Sequence, residues 1–120
     1  MKRPHTDLNL WQEAMRLTET VYALTNAFPQ SEKYGLVSQI RRSAVSVPSN
    51  VAEGAARGSK REFIQCLMIA RGSLSELDTQ LELAQRLGFI HTEASVRKHL
   101  DDVFGLLNGL LNSLKRSNPR

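Results

Sequence analysis

The chain has 120 residues with 41% hydrophobic, only 6% aromatic, and a net charge of +4 from 16 basic and 12 acidic residues. That length allows one domain, residues 1–120, with a sizeable core that must be aliphatic. The single cysteine excludes an intramolecular disulfide and fits a reducing compartment. No apolar run approaches the roughly 18 residues of a membrane-spanning helix, and the opening MKRPHTDLNLW has no apolar h-region, so a cytoplasmic location is expected.

Four segments carry apolar residues at alternating spacings of four and three. The first seam is Leu10, Ala14, Leu17, Val21, Leu24 and Phe28, with Thr6 or Asp7 as the expected cap and Pro29 as the stop. The second is Val37, Ile40, Ala44, Val47, Val51 and Gly54, capped by Ser31 and ended by Gly58. The third is Phe63, Leu67, Ala70, Leu74, Leu77, Leu81 and Ala84. Ser59 and Glu62 form a capping box before it, and Gly88 is the expected left-handed stop. The fourth is Val96, Leu100, Val103, Leu107, Leu110 and Leu114, capped by Thr92 and fraying at Ser117-Asn118-Pro119. A period near 3.5 keeps these side chains on one helical face. No segment alternates with period two. Connections of about 3–6 residues force antiparallel neighbours. The expected fold is all-α, an antiparallel up-down four-helix bundle.

The second segment is the unusual one. Pro48 lies in its interior, where it removes a hydrogen bond and frees the carbonyl of Ala44, at a cost of roughly 3 kcal/mol in a host helix. Ser43, Ser46 and Ser49 are candidates to satisfy freed carbonyls. Arg42, Ser46, Ser49, Asn50, Glu53 and Arg57 share a face by their i, i+3 and i+4 spacing. Three readings are open for that line: a solvated face, a hydrogen-bonded network between helices or subunits, and a ligand contact.

Six basic residues and one acid fall between Lys33 and Arg61. Arg41, Arg57, Lys60 and Arg61 are the candidates for contacting RNA or DNA phosphates. No aromatic interleaves Arg57, Lys60 and Arg61, so base stacking there is not expected. Gly105 and Gly109, like Gly54 and Gly58, form a small-xxx-small pattern suited to close packing. Phe104, Leu106, Leu110 and Leu111 broaden the apolar surface of the fourth helix and suggest an oligomer. His5, His91 and His99 are scattered, so no metal site is supported. No nucleophile elbow, Walker loop or dinucleotide fingerprint occurs, and neither an enzyme nor a cofactor is expected.

The run YGLVSQIRRSAVSVPSNVAEG, from Tyr34 to Gly54, resembles that of the bacterial four-helix bundle proteins also called 23S rRNA intervening-sequence proteins. The run GSLSELDTQLELAQRLGF, from Gly72 to Phe89, resembles the third helix of the same family, and Trp11, Phe28-Pro29 and Glu62-Phe63 also fit. Val51 departs from the usual Ile, and Phe89 from the common Tyr. The resemblance implies a homo-oligomer, a ring of five copies, with a non-enzymatic assembly or adaptor role. It makes Arg42, Ser46, Asn50 and Glu53 an expected interface or polar network. It also implies RNA or DNA as a partner, and a reverse transcriptase by analogy with the related accessory proteins of diversity-generating retroelements. A nucleic-acid-binding module using Arg57, Lys60 and Arg61, and a purely structural bundle, are the alternatives.

Overall fold

The computed structural model describes residues 3–117. It holds four α-helices: α1 Asn9–Thr25, α2 Leu36–Ala56, α3 Lys60–Arg86 and α4 Ala94–Arg116, with a 3-10 turn at Gln30–Glu32. No strand occurs among the described residues. Consecutive helices pack side by side and α4 returns to α1, so the four close into an antiparallel bundle of 48 × 26 × 21 Å. The α2–α3 contact is the most extensive.

The seams meet along the bundle axis. Leu17, Val21, Ile40, Val47, Val51, Leu67, Leu74, Leu77, Leu81, Val103 and Leu107 lose essentially all solvent contact. In α4 the buried line runs Val96, Leu100, Val103, Leu107 and then Leu111, while Leu110 and Leu114 are only partly buried. A straight helix turns 3.6 residues per turn, so a strict 3.5 repeat drifts off the core over two heptads.

The helix ends follow the sequence at three places. Gly58 and Gly88 hold φ of 80° and 79°, which a side chain would strain. After α3, the Gly88 N–H donates to Gln85 O and the Phe89 N–H to Ala84 O, closing the last turn. The Ser59 hydroxyl accepts from the Glu62 N–H at 3.2 Å and donates to the Glu62 carboxylate at 3.1 Å. Ser59→Ala is expected to cost about 1 kcal/mol in urea unfolding, with Ser59→Asp retaining stability.

Elsewhere the caps differ from expectation. α1 starts after Leu8 with no side-chain cap; the Thr6 hydroxyl instead donates to Arg3 O at 2.9 Å. Ser31 does not cap α2, because the 3-10 turn and Tyr34-Gly35 intervene. The Glu32 carboxylate takes that role, accepting from the Leu36 N–H at 3.3 Å. Glu93, not Thr92, precedes α4; the Thr92 N–H donates to Gln85 Oε1 at 3.0 Å, and its buried Oγ1 finds no partner among the described residues. Asn118 and Pro119, named as fraying, lie outside the described residues.

Pro48 is buried inside α2. The serines do not take up the carbonyl it frees. Thr18 of α1 does: its hydroxyl lies 3.1 Å from Ala44 O and 2.8 Å from Ala14 O, shared between the two carbonyls. A residue across the bundle thus compensates for the proline.

Candidate functional site

The polar line of α2 divides into two unlike halves. Ser46 is half-buried against α3, where its Oγ meets Ser73 Oγ at 2.8 Å. Asn50 folds back one turn, and its Nδ2 donates to Ser46 O at 2.8 Å and to Ser46 Oγ at 2.9 Å. These groups form a small α2–α3 network inside one chain. Glu53 is exposed and pairs with Arg57 one turn on. Arg57 also lies 3.5 Å from Glu62, across the turn into α3. The hydrogen bond that Arg57 donates to the Glu53 carboxylate is the main reason its guanidinium is held above its already high ordinary pKa. Arg42 and Ser49 are exposed, and Arg42 takes no ion-pair partner among the described residues.

Four cations suggested for phosphate contact do not share one surface. Arg41 lies 16 residues from Arg57, which is roughly 24 Å along a helix. Its Nε donates to Thr25 Oγ1 at 2.8 Å, and a terminal nitrogen donates to Tyr22 O at 3.3 Å and Asn26 Oδ1 at 3.1 Å. The guanidinium also stands 4.4 Å from the Tyr22 ring centroid. Arg41 therefore closes the C-terminal end of α1, whose last carbonyls lack helical partners. At the other end, two carboxylates offset the charge of Arg57. Lys60 Nζ donates to Ser117 O and Oγ at 3.0 and 2.8 Å, tying the start of α3 to the end of α4. Lys60 and Arg61 line a groove of ≈ 580 Å³ with Ile64, Gln65, Leu114 and Lys115. Lys115 was missed by sequence reasoning. Antiparallel topology carries the signal, since it places the last turn of α4 beside the first turn of α3.

The rest of the polar surface ties helices together. Glu82 accepts from Arg86 at 2.9 Å and from Arg97 of α4 at 3.1 Å, and those hydrogen bonds hold its carboxyl below the usual range. His99 of α4 lies 3.1 Å from Glu13 of α1. Arg71 turns to Asn108 of α4 at 3.0 Å rather than to an acid. Among the described residues no group of three His, Cys, Asp or Glu is placed to hold a metal ion. No helix described is long and apolar enough to cross a membrane.

Known proteins bear on this geometry. The family model for 23S rRNA-intervening sequence proteins matches residues 6–109. The chain belongs to this family. A solved structure from Bacteroides thetaiotaomicron, described as a protein with unknown function from the S23 ribosomal protein family, superposes with a TM-score of 0.78. It is 24% identical, over 86% of this chain and 95% of that chain, and at that identity the likeness shows the fold alone. Among curated proteins none matches. For the 23S rRNA-intervening sequence family, the match spans the α2 polar line and ends within α4, before Lys115. Neither the family nor the Bacteroides structure brings a known activity.

Gly105 and Gly109 of this family member stand open on α4: a Cβ built on either meets nothing within 4 Å among the described residues, so no approach there requires them. Gly54 is the opposite case. A Cβ there would fall 2.8 Å from Cys66 Cβ and 2.9 Å from Phe63 Cδ1.

Proposed function

We propose that this protein is a non-enzymatic assembly protein that self-associates, five copies to a ring, and acts as an adaptor able to contact RNA or DNA. The observation that carries self-association is a second, interrupted apolar stripe along the outer face of α3 and its C-terminal cap residue Leu87. Ile69, Leu83 and Leu87 are 56%, 47% and 54% exposed. Their spacings of 14 and 4 residues bring them within about 40° of one another around the helix. They lie on the side away from the Leu67–Leu74–Leu81 seam, so the chain's own core does not use them. Glu76 and Gln80 fall on the same face between Ile69 and Leu83 and interrupt the stripe, yet aliphatic side chains left in water favour burial against another molecule. A second copy is the occupant the reading commits to. α2 also presents the exposed cation Arg42 and the Glu53–Arg57 pair, mixed charges that can meet their counterparts on a neighbour. A closed ring of more than two copies joins two different surfaces of each chain head to tail. The cationic groove of Lys60, Arg61 and Lys115 supplies the surface for phosphate.

The variant Ile69→Glu/Leu83→Glu tests the stripe. Both positions are exposed, so helicity and melting of the isolated chain should hold while the assembled species disappears from sedimentation velocity runs. Unchanged assembly in that variant would exclude the α3 stripe as the contact.

A further inference from the structure

A second cationic surface lies at the opposite end of α2 from Lys60 and Arg61. A groove of ≈ 500 Å³ runs between the end of α1 and the start of α2, lined by Tyr22, Lys33, Tyr34, Arg41, Arg42 and Val45 among others. Two features of its lining matter together, and the Lys60–Arg61 groove shares only the first. First, it holds three cations and no carboxylate. The hydrogen-bond partners of Arg41 are Thr25, Tyr22 O and Asn26, all neutral, so its positive charge is fixed in place without being cancelled. That is the reverse of Arg57, which faces Glu53 and Glu62. Second, the groove carries aromatics. Tyr34 is 88% exposed, an extreme value for so large a ring, and among the described residues its ring contact is the Lys33 ammonium, 5.5 Å from the centroid. Tyr22 forms the inner wall beneath the Arg41 guanidinium.

Positive charge without a neighbouring carboxylate, beside an open aromatic ring, is the combination that recognises an unpaired nucleotide. Bases stack on the π-face, and cations take the flanking phosphates. A duplex offers phosphates without free base faces, and an acidic peptide offers charge without a flat ring. We propose that this groove binds single-stranded nucleic acid, with a base on Tyr34 and the adjoining phosphates on Lys33 and Arg42. The inference rests on the nucleic-acid half of the proposed function and adds to the phosphate-contacting Lys60–Arg61 groove a second surface that takes unpaired bases.

Fluorescence anisotropy with labelled 12-nucleotide oligo(U) and oligo(dT), at about 50 and about 200 mM salt, tests it. Lys33, Tyr34 and Arg42 are exposed, so their variants should fold normally. Tyr34→Ala is expected to weaken binding about tenfold, and Tyr34→Phe to leave it intact. Lys33→Ala and Arg42→Ala should each weaken binding and lower the salt slope by about one. Duplex of the same length should bind more weakly. Loss of binding in Lys60→Ala/Arg61→Ala, with full binding in the Lys33, Tyr34 and Arg42 variants, would overturn the groove and leave the proposed function standing. Equal binding of duplex with no effect of Tyr34→Ala would also overturn it, because the surface would then read charge alone. No binding of any strand by the wild-type protein at low salt would refute both.

Discussion

Gly54→Val is expected to destabilise the bundle by about 3 kcal/mol or more. Gly54 sits where α2 packs directly on α3, and the built Cβ shows how tightly. Cys66 Cβ at 2.8 Å is fixed by its own backbone and cannot rotate away. Phe63 Cδ1, at 2.9 Å, can move with its ring, but Phe63 O, at 3.3 Å, cannot. Any side chain at 54 must therefore push the two helices apart. Gly54→Ala gains about 1 kcal/mol of helix propensity. Overpacking costs about 1–3 kcal/mol, so the net effect of alanine stays destabilising but smaller than that of valine. Urea unfolding of the two variants reads the order directly. Alanine more stable than wild type would show that α2 and α3 have room to spare.

The second large effect concerns the buried proline. Thr18→Val keeps the shape of the side chain and removes the hydroxyl shared by Ala14 O and Ala44 O. Ala44 O cannot recover a helical partner, because residue 48 is a proline with no N–H. The expected loss is about 2 kcal/mol, the range for a buried acceptor left unmet. In a Pro48→Ala background the new N–H can donate to Ala44 O, and Thr18→Val should then cost less than about 0.5 kcal/mol. The bond to Ala14 O is common to both backgrounds and cancels in the cycle. Equal costs in the two backgrounds would mean that the threonine does not serve the proline.

These two sites also show what could be read before the structure. Leu17, Ile40, Leu74 and Leu107 were placed by periodicity alone, because burial repeats with the helix itself. Gly58, Ser59 and Gly88 were legible because their signals act within a few residues. Thr18 was not, since it lies 26 residues from Ala44 and meets it only through helix packing. Ser31 and Thr92 have the residue type of a cap, but a turn separates Ser31 from α2, and α4 starts one residue too late for Thr92, with Glu93 at the cap position. Among the site residues, the i,i+4 spacing of Glu53 and Arg57 pointed to their pairing. Arg41 looked like a surface cation because nothing local showed that it would reach back to Thr25 and Asn26. Tyr34 opens the family run and Lys33 directly precedes it, yet their pairing with Arg42 in one groove requires the turn through Gly35.

Self-association through the outer face of α3 is the claim on which the functional reading depends. Light scattering coupled to size exclusion, on the wild-type protein at micromolar concentration, tests it most directly. A ring of five 13.5 kDa chains predicts a mass of about 67 kDa. A single species at the 13.5 kDa of one chain, unchanged as concentration rises, would contradict it.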